Sequence, residues 1–231
     1  SSAYNIQFHH GRPVMIDTLS FELYQEGLPW VPYRQFCQHF LAPLSLMAYR
    51  DIRLSQLLRV YIDGLPLDLV SELLPWKTHL VFPLYIHIHL HASSQKRYSA
   101  KPVETTRKVS KVSLQGLIDS LESGIKRLQW SPAGTDWGAY YDEHNYTQAG
   151  LDDKKKIVSA FLDRINPGSL WDLGANTGLF SRLASDRGVP TIAFDIDPGA
   201  VEQNYLASRK NHEPNILPLL SDLTNPSPGI G

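Results

Sequence analysis

Cysteine is nearly absent from this chain: Cys37 stands alone among 231 residues, so no internal disulfide can form and no thiolate zinc site can be assembled. A reducing, cytoplasmic setting is the expectation. No uninterrupted apolar run approaches the roughly eighteen residues of a membrane span, and no secretory leader pattern is visible. Charge of one sign is lacking as well. A formal net charge of −1 gives no global attraction to nucleic acid, while 42% hydrophobic residues is ample for a core in each of two domains.

The most informative stretch is Trp171-Asp172-Leu173-Gly174-Ala175-Asn176-Thr177-Gly178. Leu170 to Leu173 is a short apolar run that suits a buried parallel strand, and beyond the bend Leu179, Phe180, Leu183 and Ala184 recur at helical spacing. Gly174 and Gly178 permit positive φ and close approach of a ligand, and the N–H groups of a helix start favour an anionic or polar ligand group. A second apolar run, Thr191 to Phe194, ends in Asp195, seventeen positions after Gly178. A carboxylate there can accept from both hydroxyls of a ribose. A third run, Asn215 to Leu220, ends in Ser221-Asp222, where a carboxylate could accept from an exocyclic amine such as that of adenine.

These residues resemble the class I S-adenosylmethionine-dependent methyltransferases: DLGANTG is similar to their first motif, FDIDP to the second and LSDL to the third. The resemblance implies that the bend from Gly174 to Gly178 holds the amino-acid end of S-adenosylmethionine. Asp195 would then bind the ribose hydroxyls and Asp222 the adenine amine, while Asp172 supports the bend and the methionyl amine. Ala175, Asn176, Ile196 and Leu223 complete the implied cofactor contacts. A dinucleotide fingerprint fits worse, since G-x-G-x-x-G requires glycine at 176 and glycine or alanine at 179, where Asn176 and Leu179 stand. Asn176 also replaces the commoner glycine of the methyltransferase pattern.

The expected fold class is therefore α/β, with a partial Rossmann-like sheet of strand order 3-2-1 preceded by a mainly helical domain that starts with a β-hairpin. We divide the chain into a helical domain at 1–95, a basic linker at 96–112, a connecting helix and aromatic segment at 113–150, and a cofactor domain at 151–231. Only one side of the expected sheet is present, so its first strand would show an open apolar edge, and the partner expected to complete it is the rest of a longer polypeptide beyond Gly231. The segment that commonly lies beside the transferred methyl in that family would belong to it, and no catalytic residue is named here.

In the helical domain, Tyr4, Ile6 and Phe8 alternate before His9-His10-Gly11-Arg12-Pro13 and Val14-Met15-Ile16, which reads as a hairpin. Phe36, Cys37, Phe40, Leu41, Leu44 and Met47 fit a helix, with Pro43 a kink or break. Asp51 is a cap for a helix carrying Leu54, Leu57, Leu58 and Tyr61; shorter and longer helices follow over Leu67 to Leu74 and from Leu114 to Leu128. With phrases such as YNIQFHHGRPVMIDTLSFE and YRQFCQHFLAPL included, the whole chain resembles a small group of methyltransferases related to host-specific nodulation proteins. That likeness implies a bacterial cytosolic enzyme acting on a small-molecule or carbohydrate acceptor.

Other motifs compete. Asn5 and Asp17, twelve apart across the hairpin, are similar to the Mg²⁺-binding pair of kinase-like phosphotransferases, although Thr18-Leu19 follows the aspartate and the general base would fall before Ser1. The plainer reading is that they serve the hairpin's turns. His87, His89 and His91 would share one face of a strand, or His87 and His91 one face of a helix, and so could present imidazoles to a metal; no further carboxylate ligand is near, and a hydrogen-bonded polar face is the simpler reading. Six basic residues from Lys96 to Lys111 face only Glu104, which reads first as a solvated linker and second as a polyanion contact. Finally, Trp130, Trp137, Tyr140, Tyr141 and Tyr146 precede the helix from Leu151 to Ile165. Tyr141 or Tyr146 could close on a sulfonium through its ring face, with His144 a candidate base; equally, these rings could anchor the connecting helix. A cofactor-binding module without chemistry remains the third alternative.

Overall fold

A computed structural model describes residues 2–9, 11–93, 108–131 and 147–225. The chain divides into two compact units, residues 1–7 with 14–130 and residues 8–13 with 131–231. The basic run up to Arg107 and the aromatic segment from Trp137 to Tyr146 lie outside the described residues, as do His10 and the tail from Pro226. Among the described residues, no helix is long and apolar enough to cross a membrane. Strands form a two-stranded hairpin, β1 (Ile6–His9) with β2 (Arg12–Met15), and a separate three-stranded sheet.

The first unit is helical. Its core is built from Cys37, Leu41, Leu46, Leu65, Leu67, Val70, Leu84 and Ile88, all fully buried, each large side chain contributing about 1.5–3 kcal/mol by leaving water. The helix is not broken at Pro43. The chain runs from Tyr33–Phe36 through a π-turn at Cys37–Leu41 into α1 (Ala42–Tyr49), with Ala42 N–H bonded five residues back to the Cys37 carbonyl. In that wide register Pro43 would have been the donor to Gln38, and Leu65 N–H takes the orphaned Gln38 carbonyl instead at 3.1 Å. Gly64 makes this approach possible: it has φ +99°, and a Cβ there would stand 2.7 Å from the Gln38 Cβ.

Asp51 does cap a helix, accepting from Arg53 N–H at 2.9 Å, but that helix is a 3-10 segment, Ile52–Gln56, passing into the short Leu57–Val60. Next come α2 (Leu67–Leu73) and α3 (Lys111–Lys126), the latter capped by Ser110. Of the three histidines, His87 and His89 lie in a second π-turn, Tyr85–Leu90, and His91 in the α-helical residues that follow it.

In the second unit, α4 (Gln148–Ile165) starts at the Thr147 cap and ends at Asn166 in the left-handed conformation. Strand β3 (Leu170–Leu173), helix α5 (Ser181–Ser185), β4 (Thr191–Asp195), α6 (Pro198–Asn211) and β5 (Ile216–Leu220) follow. All three strands are parallel in the order β3-β4-β5, which puts the middle strand in the centre as expected. Pro218 fits only because β5 is an outer strand among the described residues, where a missing N–H costs no ladder bond.

Thr191, Ala193, Ile216 and Pro218 are buried on one side of the sheet. The other side is a block of six apolar residues in register, Trp171, Ile192 and Leu217 in one row, Leu173, Phe194 and Leu219 in the next. Trp171 is 68% and Leu173 56% exposed, which corrects the expectation of a buried first strand. A parallel strand is buried only when both faces are covered and both edges paired, and among the described residues β3 pairs with β4 alone.

Candidate functional site

The bend after β3 is held by the strand beside it. Gly174 N–H and Ala175 N–H both donate to the Phe194 carbonyl at 2.9 Å, and Gly178 N–H closes the turn onto Ala175. Gly174 (φ +85°), Asn176 (φ +50°) and Gly178 (φ +80°) all take left-handed conformations, so the residue at 176 must tolerate that region, as asparagine does better than most. Its side chain turns inward: the Asn176 amide oxygen accepts from Thr177 N–H at 2.8 Å, and the residue is buried. The two glycines differ in kind. A Cβ on Gly178 would lie 2.5 Å from the Asn204 amide of α6, whereas a Cβ on Gly174 would meet nothing within 4 Å.

Asp195 at the end of β4 faces this bend. One carboxylate oxygen accepts from Asn176 N–H at 2.7 Å and the other from Asp197 N–H at 2.9 Å. The backbone continues across the sheet edge, with Ser221 N–H donating to the Asp195 carbonyl at 2.8 Å. The bend, Asp195 and the start of the loop after β5 are thus joined at the carboxyl ends of adjacent strands. Asp172 sits one step inside β3 and accepts from the buried Ser181 hydroxyl at 2.6 Å, tying the strand to α5. Asp222 folds into its own turn, one oxygen accepting from Thr224 N–H at 2.9 Å and from the Thr224 hydroxyl at 2.7 Å. Ile196 and Leu223, the residues just after Asp195 and Asp222, are 60% and 52% exposed.

Several supporting residues went unread in the sequence. Asp197 caps α6, accepting from Gly199 and Ala200 N–H at 2.6 and 3.1 Å, with Pro198 opening the helix; an aspartate before proline ahead of a helix was a legible signal. Arg182 donates to both oxygens of Glu213 and to the Thr177 carbonyl, a pairing across thirty-one residues that no local pattern announces. Lys154 on α4 stands 4.9 Å above the Phe180 ring.

The competing motifs resolve into structural contacts. Asn5 donates to Asp17 at 2.9 Å and the Ser20 hydroxyl donates to the same carboxylate oxygen, which ties the base of the hairpin to the short turn after it. His87 binds the Tyr33 hydroxyl through Nδ1 at 2.7 Å and Ser120 through Nε2 at 2.9 Å. His89 binds Ser71 through Nδ1 at 2.7 Å and Thr78 through Nε2 at 2.9 Å, and stacks on His79 at 3.7 Å. Thr78 gives its one hydroxyl proton to the Pro75 carbonyl, so His89 donates to Thr78 through Nε2; with burial keeping the ring neutral, Nδ1 accepts from the Ser71 hydroxyl. Burial first, and neighbouring histidines second, push His87 and His89 down to about 4. With both nitrogens of both rings engaged, neither is open to a metal. Among the described residues no group of three or more His, Cys, Asp or Glu is placed to hold one.

No family model and no solved structure matches this chain. It is similar to nodulation protein NoeA of Rhizobium meliloti (strain 1021), with 34% identity over 238 residues, covering 100% of this chain and 50% of that protein. The chain thus spans about half the length of the curated relative it matches, and its nodulation-related likeness is supported over its whole length.

Proposed function

We propose that residues 148–225 form the S-adenosylmethionine-binding part of a methyltransferase. The observation that carries this reading is the orientation of Asp195. A carboxylate offers about four acceptor positions, and the two backbone N–H bonds use one on each oxygen, leaving about two for the adjacent hydroxyls of a ribose. The surroundings suit the rest of the molecule. The open space beside Gly174 is where backbone N–H and carbonyl groups could meet the amino-acid end, and exposed Ile196 and Leu223 offer apolar surface to a flat adenine. Asp222 stands at the neighbouring strand end for its amine.

When bound, this cofactor supplies a methyl group already activated by positively charged sulfur. The chain's own task would be alignment and exclusion of water, for which a bend fixed by its own hydrogen bonds is suited. The acceptor, a small molecule or a carbohydrate, would be chosen by groups outside this set. Similarity to a nodulation protein is in keeping with that reading.

Calorimetry with S-adenosylhomocysteine tests it. One molecule should bind per chain, and Asp195→Ala should weaken binding about thirtyfold or more, the loss of roughly 2 kcal/mol from hydrogen bonds to a charged acceptor. Equal affinity in the variant, or no binding by the parent chain, would refute the proposal.

A further inference from the structure

The bend is fixed at the Asn176 N–H by Asp195, and a second set of contacts holds its Thr177 carbonyl. Arg182, on the first turn of α5, donates from Nε to both oxygens of Glu213 at 3.0 and 3.1 Å and pairs through Nη2 at 2.9 Å. Through Nη1 it donates to the carbonyl of Thr177, inside the bend, at 2.8 Å. Both side chains are largely buried, at 20% and 16% exposure, so the pair is shielded from salt and water as a surface pair is not.

Glu213 is itself anchored to the end of α6. Its backbone N–H donates to the Ser208 carbonyl at 3.0 Å, Asn211 donates to its carboxylate at 3.2 Å, and His212 makes the left-handed exit that aims it back. Burial works against its charge, yet the bonds from Arg182 and Asn211 hold the Glu213 carboxyl below its ordinary value. About two turns before the end of α6, Asn204 stands against Gly178. The bend is thereby held at two successive residues, the Asn176 N–H by Asp195 and the Thr177 carbonyl by Arg182.

Resting on the reading above, we infer that Arg182 and Glu213 form a buried latch from α6 to the bend, a pair of positioning residues that present the bend and Asp195 in their ligand-binding geometry. A guanidinium is required because only its fork reaches two carboxylate oxygens and a carbonyl together, which a lysine ammonium does less well. The latch gives α6 a role in ligand affinity without touching the ligand.

Two readouts on the same variants test this, both taken well below the melting temperature so that only folded protein is observed. Amide hydrogen exchange without ligand should speed up across residues 174–182 in Arg182→Met and Glu213→Gln. It should not change in Asp163→Asn, which breaks the Arg187–Asp163 pair elsewhere in the unit. Affinity for S-adenosylhomocysteine should fall about tenfold in Arg182→Met, with Arg182→Lys between it and the parent, and stay unchanged in Asp163→Asn. Should Arg182→Met fail to fold, Glu213→Gln carries both measurements. Unchanged exchange at the bend overturns the latch; faster exchange with unchanged affinity overturns its positioning role. If the parent chain binds no S-adenosylhomocysteine, the cofactor reading fails by itself, and exchange alone decides the latch.

Discussion

At the scale of single residues, positions that look alike in the sequence have different physical tasks. Gly178 is required by packing as well as by φ, since Asn204 fills the space a methyl group would need. Gly178→Ala should therefore cost roughly 2 kcal/mol or more, and Asn204→Ala in the same chain should recover the packing part but not the backbone strain of about 1 kcal/mol. Thermal melts of the two single variants and the pair measure that coupling, and additive losses would contradict the contact. Asn176→Gly should be near neutral, because glycine takes φ +50° freely, whereas Asn176→Val should unsettle the bend. Cys37 offers a third case. It is fully buried, and burial pushes its thiol up to about 12, so thiol reagents should label it only on unfolding. Labelling of the native chain at the rate of a free thiol would disprove the packing of the first unit's core.

At the scale of elements, the hydroxyl and imidazole contacts join segments that apolar packing alone would leave loosely registered. His87 links Tyr33 to Ser120 of α3, and His89 links Ser71 of α2 to Thr78. Both rings titrate near 6.5 when free and near 4 in the fold. The unfolded chain thus binds protons that the folded chain does not as the pH falls through that window. Stability should be fully held above about pH 6.5 and lost progressively toward about pH 4. Melting temperatures across that range check the direction, and His87→Gln with His89→Gln should flatten the slope whatever they do to stability at neutral pH. An unaltered slope would assign the acid sensitivity elsewhere.

Legibility in the sequence followed the range of the interactions. The hairpin, β3 to β5 and the helices flanking them were readable because apolar period, glycine and proline act locally. The passage of a helix through Pro43 was not, since it depends on Leu65 taking a carbonyl twenty-seven residues away. The histidine run shows the same limit: its pattern allowed a strand or a helix, and the fold has a π-turn through His87 and His89, whose rings bond to hydroxyls on α3 and α2 far along the chain. At the bend, Asp195 and the glycines stood out by type and spacing, while Arg182 and Glu213 look like ordinary surface charges until the fold brings them together.

At the scale of the whole molecule, the two units differ in how their described residues are buried. The first has a core of large aliphatic side chains, while among the described residues the second buries Ala175, Ala193 and Ile216 as a cluster and has an exposed apolar face on its sheet. Leu173→Ser on that face should change stability by less than about 0.5 kcal/mol, since the side chain is already more than half exposed, and a loss of several kcal/mol would mean that the face is covered.

The central claim concerns the opposite feature of that unit, the carboxyl edge of its three strands. Amide chemical shifts during titration with S-adenosylhomocysteine report on it residue by residue. Gly174 to Gly178, Asp195 to Ile196 and Ser221 to Leu223 should move together and saturate at one ligand per chain. Shifts gathered at Asn5 and Asp17 with Mg²⁺-ATP instead, or none at those strand ends, would show that no nucleoside lies there.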